Sequence, residues 1–141
     1  MVHATPSTSV SGTITLLGVD VLGASLAGKS DNLKVTTSIT VMWAGDIAGT
    51  TTYESTWMVH DFVPPAGGTP NIHEIIFFPT VTVLGKSGSL TLEVNLGGSK
   101  GVFRWNILSG TDELVNLHGN GIYYLTGGIM YAYEGQVHFD P

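Results

Sequence analysis

From Val10 to Phe139 apolar and polar residues alternate along most of the chain. In LKVTTSITVMW, Leu33, Val35, Thr37, Ile39, Val41 and Trp43 fall on every second position, and β-branched residues dominate. The same period predicts strands over Val10 to Leu17, Leu33 to Ala44, Thr50 to Asp61, Ile72 to Leu84, Ser89 to Leu96, Gly101 to Leu108, Gly121 to Thr126 and Ile129 to Phe139. Turn-forming residues separate them: a long first loop from Gly18 to Asn32, then Gly45 to Gly49, the proline-rich Pro64 to Pro70, Gly85 to Gly88, Gly97 to Ser99, and Gly127-Gly128. Short connections make neighbours antiparallel. About eight such strands in one domain favour a closed barrel, which leaves no edge to aggregate. The expected fold is therefore all-β, one barrel domain over 1–141 with a flexible stretch at 1–9.

The segment from Ser109 to Gly119 breaks the rhythm. Thr111 stands before Asp112 and Glu113, Leu114 and Leu117 are three apart, and Gly119 stops the run. A short helical turn near 111–117, plugging one barrel end, is the expectation.

Residues 23–30, GASLAGKS, satisfy the phosphate-binding pattern G-x-x-x-x-G-K-[ST]. A phosphate loop works by presenting the free N–H groups of a helix N-terminus, so a helix must follow Ser30. The strand-like run from Leu33 follows instead, and Gly85-Lys86-Ser87 repeats the tripeptide where only a hairpin fits. Nucleotide binding is excluded.

Charged residues make up only 11% of the chain, which suggests that part of the outer surface is covered, most simply by self-association into a dimer or trimer. A net charge of −6 with scattered Lys and Arg argues against a nucleic-acid partner. With no cysteine, neither disulfides nor thiolate metal sites can form. The first residues lack the features of a signal peptide, and no apolar run reaches membrane-spanning length, so a cytoplasmic protein with no membrane partner is expected.

The succession of GTITLLGVDV (12–21), WAGDIAG (43–49) with Tyr53 close behind, LGKSGSLTLEV (84–94), Trp105, and SGTDELVNLHGNG (109–121) before a tyrosine-rich last strand resembles a widespread small-domain family of uncharacterised function. The resemblance implies an allene-oxide-cyclase-like β-barrel over about Gly12 to Phe139. Proteins of that architecture include allene oxide cyclases, dirigent proteins and cyclases of natural-product pathways. The chain departs from the family pattern at Ile75-Ile76-Phe77-Phe78, where a charged residue is common, and this points to a greasier cavity or contact surface.

Candidate chemistry is sparse. His3, His60, His73, His118 and His138 show no metal-ligand spacing, although His60 and His73 flank the proline loop and could meet. No nucleophile elbow is present. Glu54, Glu93 and Glu134 read as outward charges, whereas Glu74 shares a face with Ile72, Ile76 and Phe78. If that face lines a cavity, Glu74 is a desolvated acid able to move a proton.

Aromatic residues are the strongest signal. Trp43, Trp57, Phe78, Phe103, Trp105 and Tyr133 are the expected substrate-binding walls, and Tyr53, Tyr124 and Tyr131 join Glu74 as expected catalytic groups. The same rings could instead fill the barrel as packing, and which face of the sixth strand, Arg104 or Phe103 and Trp105, looks inward stays open at this stage. The expected activity is a cofactor-independent, metal-free cyclase or isomerase of natural-product chemistry, such as a pericyclase, folding an apolar and even polycyclic substrate. The alternatives are a non-catalytic carrier of a hydrophobic small molecule and a structural oligomer with a filled barrel.

Overall fold

Each strand-forming run finds its neighbour in sequence order. The computed structural model describes residues 6–26, 33–63, 67–97 and 101–140, with the side chains of 25–26, 33, 57–63, 67–71 and 97 left aside. Eight strands run in sequence as β1 (Thr8–Leu26), β2 (Leu33–Gly45), β3 (Ile47–Val63), β4 (Gly67–Val83), β5 (Lys86–Gly97), β6 (Val102–Gly110), β7 (Leu117–Gly127) and β8 (Met130–Phe139). Every neighbouring pair is antiparallel, and β8 returns to β1 to close the barrel. The all-β barrel expected from the alternation is the observed fold.

Several boundaries differ from the expectation for a physical reason. Gly18 to Asn32 reads as a loop, yet β1 continues to Leu26. Its pairing with β2 slips one residue between Leu16 and Gly18 and again between Val21 and Gly23. Each bulge interrupts the period of two, so the strand no longer looks like one. Residues 27–32, which hold the Gly-Lys-Ser of the phosphate-loop pattern and the positions after it, lie outside the described residues, and β2 opens at Leu33. On β4 a further bulge falls at Pro79-Thr80, where pairing to β5 shifts between Phe78 and Val81. Proline lacks the N–H a ladder needs, and the bulge switches the inward positions from Ile72, Glu74, Ile76 and Phe78 to Val81 and Val83.

The two barrel ends are unlike. One end carries the β2–β3 and β4–β5 turns and the helical turn, a single 3-10 turn at Asp112–Leu114. Leu114 and Leu117 are both buried beneath it, so the expected plug is present. Thr111 does not cap the turn through its side chain; its Oγ1 instead accepts from the Ser89 N–H at 3.1 Å, tying the plug to β5.

Above the plug the interior is packed solid. Trp43 meets Phe78, Trp105 and Tyr123 edge-on at 5.9, 6.3 and 6.0 Å, and lies 4.7 Å from the Tyr133 ring. The Tyr133 hydroxyl accepts from the Ile47 N–H at 2.8 Å and faces the Ala44 and Ile47 carbonyls at 3.0 and 2.9 Å. Trp105 fits because Gly121 and Gly135 pair across β7 and β8 beneath it. A Cβ at either glycine would stand 2.5 Å from the Trp105 ring.

Candidate functional site

Strand parity decides what the barrel's other end contains. On β3 the odd positions Thr51, Tyr53 and Ser55 look inward while Thr52 and Glu54 are exposed. On β6 Phe103 and Trp105 look inward and Arg104 outward, which settles the face left open by the sequence. On β8 Tyr131, Tyr133 and Val137 share the interior face. These choices leave a hollow of about 90 Å³ above Trp43, lined by aliphatic side chains of β1, β2 and β4 together with Trp43, Tyr53, Glu74, Phe103, Tyr123 and Tyr131. It opens toward the end where Val19 is 44% exposed. The barrel is thus filled at one end and hollow at the other.

Glu74 is the one acid among the lining residues, and only 4% exposed. Its Oε1 accepts a 2.7 Å hydrogen bond from the Ser55 hydroxyl, while Oε2 has no hydrogen-bond partner among the described residues. Burial raises the Glu74 pKa above the usual carboxyl range, because a charge surrounded by hydrocarbon loses its hydration. The Ser55 and Tyr53 hydroxyls, and then the His73 imidazole, pull the other way without cancelling that effect. Burial likewise raises the phenols of Tyr53, Tyr123 and Tyr131, with the Glu74 charge adding to each shift. All of these phenols are therefore protonated hydrogen-bond donors around a carboxyl that holds its proton to higher pH than an exposed one.

Of the residues singled out in the sequence, Tyr53, Glu74, Tyr131, Trp43 and Phe103 come together on this hollow. Tyr124 does not: it sits on the outer face of β7, 38% exposed, and the inward position belongs to Tyr123. Counting in twos from the buried Leu117 would have reached Tyr123, but a tyrosine pair offers no local sign of its parity. Phe78, Trp105 and Tyr133 are buried below the hollow rather than on its wall, so they are core packing instead of a binding surface. The side chain of Trp57 lies outside the described residues. Ser55 was missed because a serine between Glu54 and Thr56 looks like any strand residue until its partner strand is placed.

The histidines with described side chains on the strands stay on the outside. His73 stands 3.3 Å from Glu93, and His118 and His138 approach the Asp140 carboxylate at 2.8 and 3.5 Å. The His60 side chain lies outside the described residues, so its meeting with His73 is not described. Among the described residues no group of three or more His, Cys, Asp or Glu is arranged to hold a metal ion. No helix among them is long and apolar enough to cross a membrane. Of the Ile75–Phe78 stretch, Ile76 and Phe78 are internal while Ile75 and Phe77 are each 44% exposed.

Fold and site together define a closed eight-stranded antiparallel barrel with an acid and several phenols gathered in an apolar hollow at one end. No family model and no curated protein matches the chain. Among solved structures, the chain is similar to a protein of unknown function from the DUF3224 family of Shewanella oneidensis MR-1. The TM-score is 0.79 at 18% identity, over 96% of this chain and 100% of that one. It is also similar to a pyocyanin demethylase, with a TM-score of 0.55 at 12% identity, over 92% of this chain and 99% of that one. At these identities the likeness is one of fold.

Proposed function

We propose that the protein processes a small organic molecule, bound with its reactive part in the hollow, as a cyclase or isomerase in which Glu74 moves the proton. The observation that carries this reading is a buried carboxyl with one oxygen unpartnered among the described residues, set in the wall of an apolar cavity. Leaving such a group buried is costly for folding alone, and a carboxyl whose pKa burial raises is suited to proton transfer. Tyr53 and Tyr131 donate hydrogen bonds to a carbonyl or a developing oxyanion, while Trp43, Phe103 and Tyr123 hold the reacting portion in its productive shape. That a barrel of this fold bears the name pyocyanin demethylase supports work on a small molecule over an inert shell. The allene-oxide-cyclase-like architecture implied by the sequence resemblance, and self-association, belong to the same proposal.

The size of the hollow restricts the substrate. At about 90 Å³ it is smaller than the roughly 150 Å³ cavity that takes benzene. A polycyclic substrate therefore does not fit within it, and only a head of a few heavy atoms enters while the remainder lies in the mouth.

The test is to incubate the protein with fractionated small-molecule extract, identify the bound compound by native mass spectrometry, and follow its structure by NMR. The expected result is a product differing from its substrate by a proton shift or a new ring, formed by the wild type and not by Glu74→Gln. Recovery of the bound compound unchanged from the wild type would make the protein a carrier.

A further inference from the structure

The chemistry of the hollow is one-sided. Among the described residues its only formally charged lining residue is Glu74, and neither Lys nor Arg is among them. The carboxyl thus has no cationic side chain beside it in the hollow among the described residues, and His73, next to it in sequence, is an exposed residue facing outward. The titratable groups among the described residues that face Glu74 from neighbouring elements are phenols: Tyr53 on β3, Tyr123 on β7 and Tyr131 on β8.

The remaining wall is aromatic on several sides. Phe103 stacks on Tyr123 at 4.6 Å and 8°, Tyr131 stands edge-on to both at 83° and 89°, and Trp43 meets Tyr123 at 79°. A stacked pair and two rings edge-on to it line the hollow, and aromatic faces carry negative potential. Aromatic walls plus one carboxylate stabilise a positive charge and repel an anion. The chain's net charge of −6 adds a long-range attraction of the same sign.

We propose that the hollow takes the positively charged head of an organic ammonium ion, N-methylated or quaternary, with Glu74 as its counter-ion and Trp43, Tyr53, Phe103, Tyr123 and Tyr131 as its walls. This rests on the small-molecule reading above and gives that molecule its chemical class. The volume suits an ammonium head of a few heavy atoms, with the rest of the molecule leaving through the mouth beside Val19. Binding such a head favours ionised Glu74, so binding releases a proton wherever the free carboxyl is protonated, and affinity rises with pH through the titration of Glu74.

The probes are phenyltrimethylammonium and its neutral isostere tert-butylbenzene, titrated calorimetrically into the full-length wild type in buffers of different ionisation enthalpy. The ammonium is expected to bind about tenfold tighter or more than the isostere, with proton release. Glu74→Gln is expected to abolish the proton release and to reduce the preference to the share the aromatic walls supply, while still binding tert-butylbenzene. Phe103→Leu, which removes one wall and leaves the acid, is expected to weaken the ammonium more than the isostere. Equal binding of both probes to the wild type, or an unchanged preference in Glu74→Gln, overturns the cationic assignment and leaves an apolar ligand site standing. Failure of both probes to bind overturns the ligand-binding reading itself.

Discussion

The hydroxyl of Ser55 on β3 donates a 2.7 Å hydrogen bond to Oε1 of Glu74 on β4, deep in the barrel wall. This bond stabilises only one of the two carboxylate oxygens. Ser55 therefore holds the acid in place without neutralising it, and the carboxyl stays responsive to pH and to whatever enters the hollow.

Because burial raises the Glu74 pKa in the folded state, the folded protein binds that proton more tightly than the unfolded chain does. The associated stability is fully present below the ordinary carboxyl range and is lost as pH rises through the raised value. Glu74→Gln is expected to remove this slope, so that the variant gains on the wild type at alkaline pH. The gain is about 1.4 kcal/mol for every tenfold difference in proton affinity between the folded and unfolded carboxyl. Urea denaturation of both proteins across the pH range checks it. A difference in stability that does not change with pH would show that the carboxyl titrates alike folded and unfolded.

Trp105 lies on Gly121 and Gly135 so closely that no side chain fits between them. A Cβ at Gly121 would also meet the Glu134 carbonyl oxygen at 2.1 Å, which is backbone and cannot step aside. Gly121→Ala is expected to cost roughly 3 kcal/mol or more through overpacking and displaced strands. Chemical denaturation gives the cost, and near-ultraviolet circular dichroism reports the moved indole.

Tyr133 on β8 anchors the β2–β3 turn by reaching over the intervening strand β1. Removing its hydroxyl in Tyr133→Phe leaves the buried Ile47 N–H without the oxygen it donates to. A loss of about 1–3 kcal/mol is expected, with faster hydrogen exchange at the Ile47 amide while the Trp105 region stays protected. Unchanged exchange at Ile47 would mean that the turn is held by other contacts.

Much of the fold was legible because alternation is a local property. The run from Leu33 to Trp43 has one reading as a strand, and it became β2 almost to the residue. The glycine turns identified the antiparallel order. Alternation failed where bulges interrupt it, as at Leu17 and Leu22 on β1, which are 53% and 55% exposed. Glu74 was legible as an inward acid from its apolar companions on the same face. Tyr124 was misplaced because Tyr123-Tyr124 offers the same residue type to both sides of the sheet.

The sequence by itself determined that this chain is a sheet curling into a barrel, with a plug around Leu114 and Leu117. Those features depend on residues close together in the chain, where period and turn chemistry act directly. Only the tertiary structure decided which rings became packing and which became walls, and that Ser55 would meet Glu74. A one-residue slip between paired strands moves every side chain to the opposite face, and that register is set by contacts between residues distant in sequence.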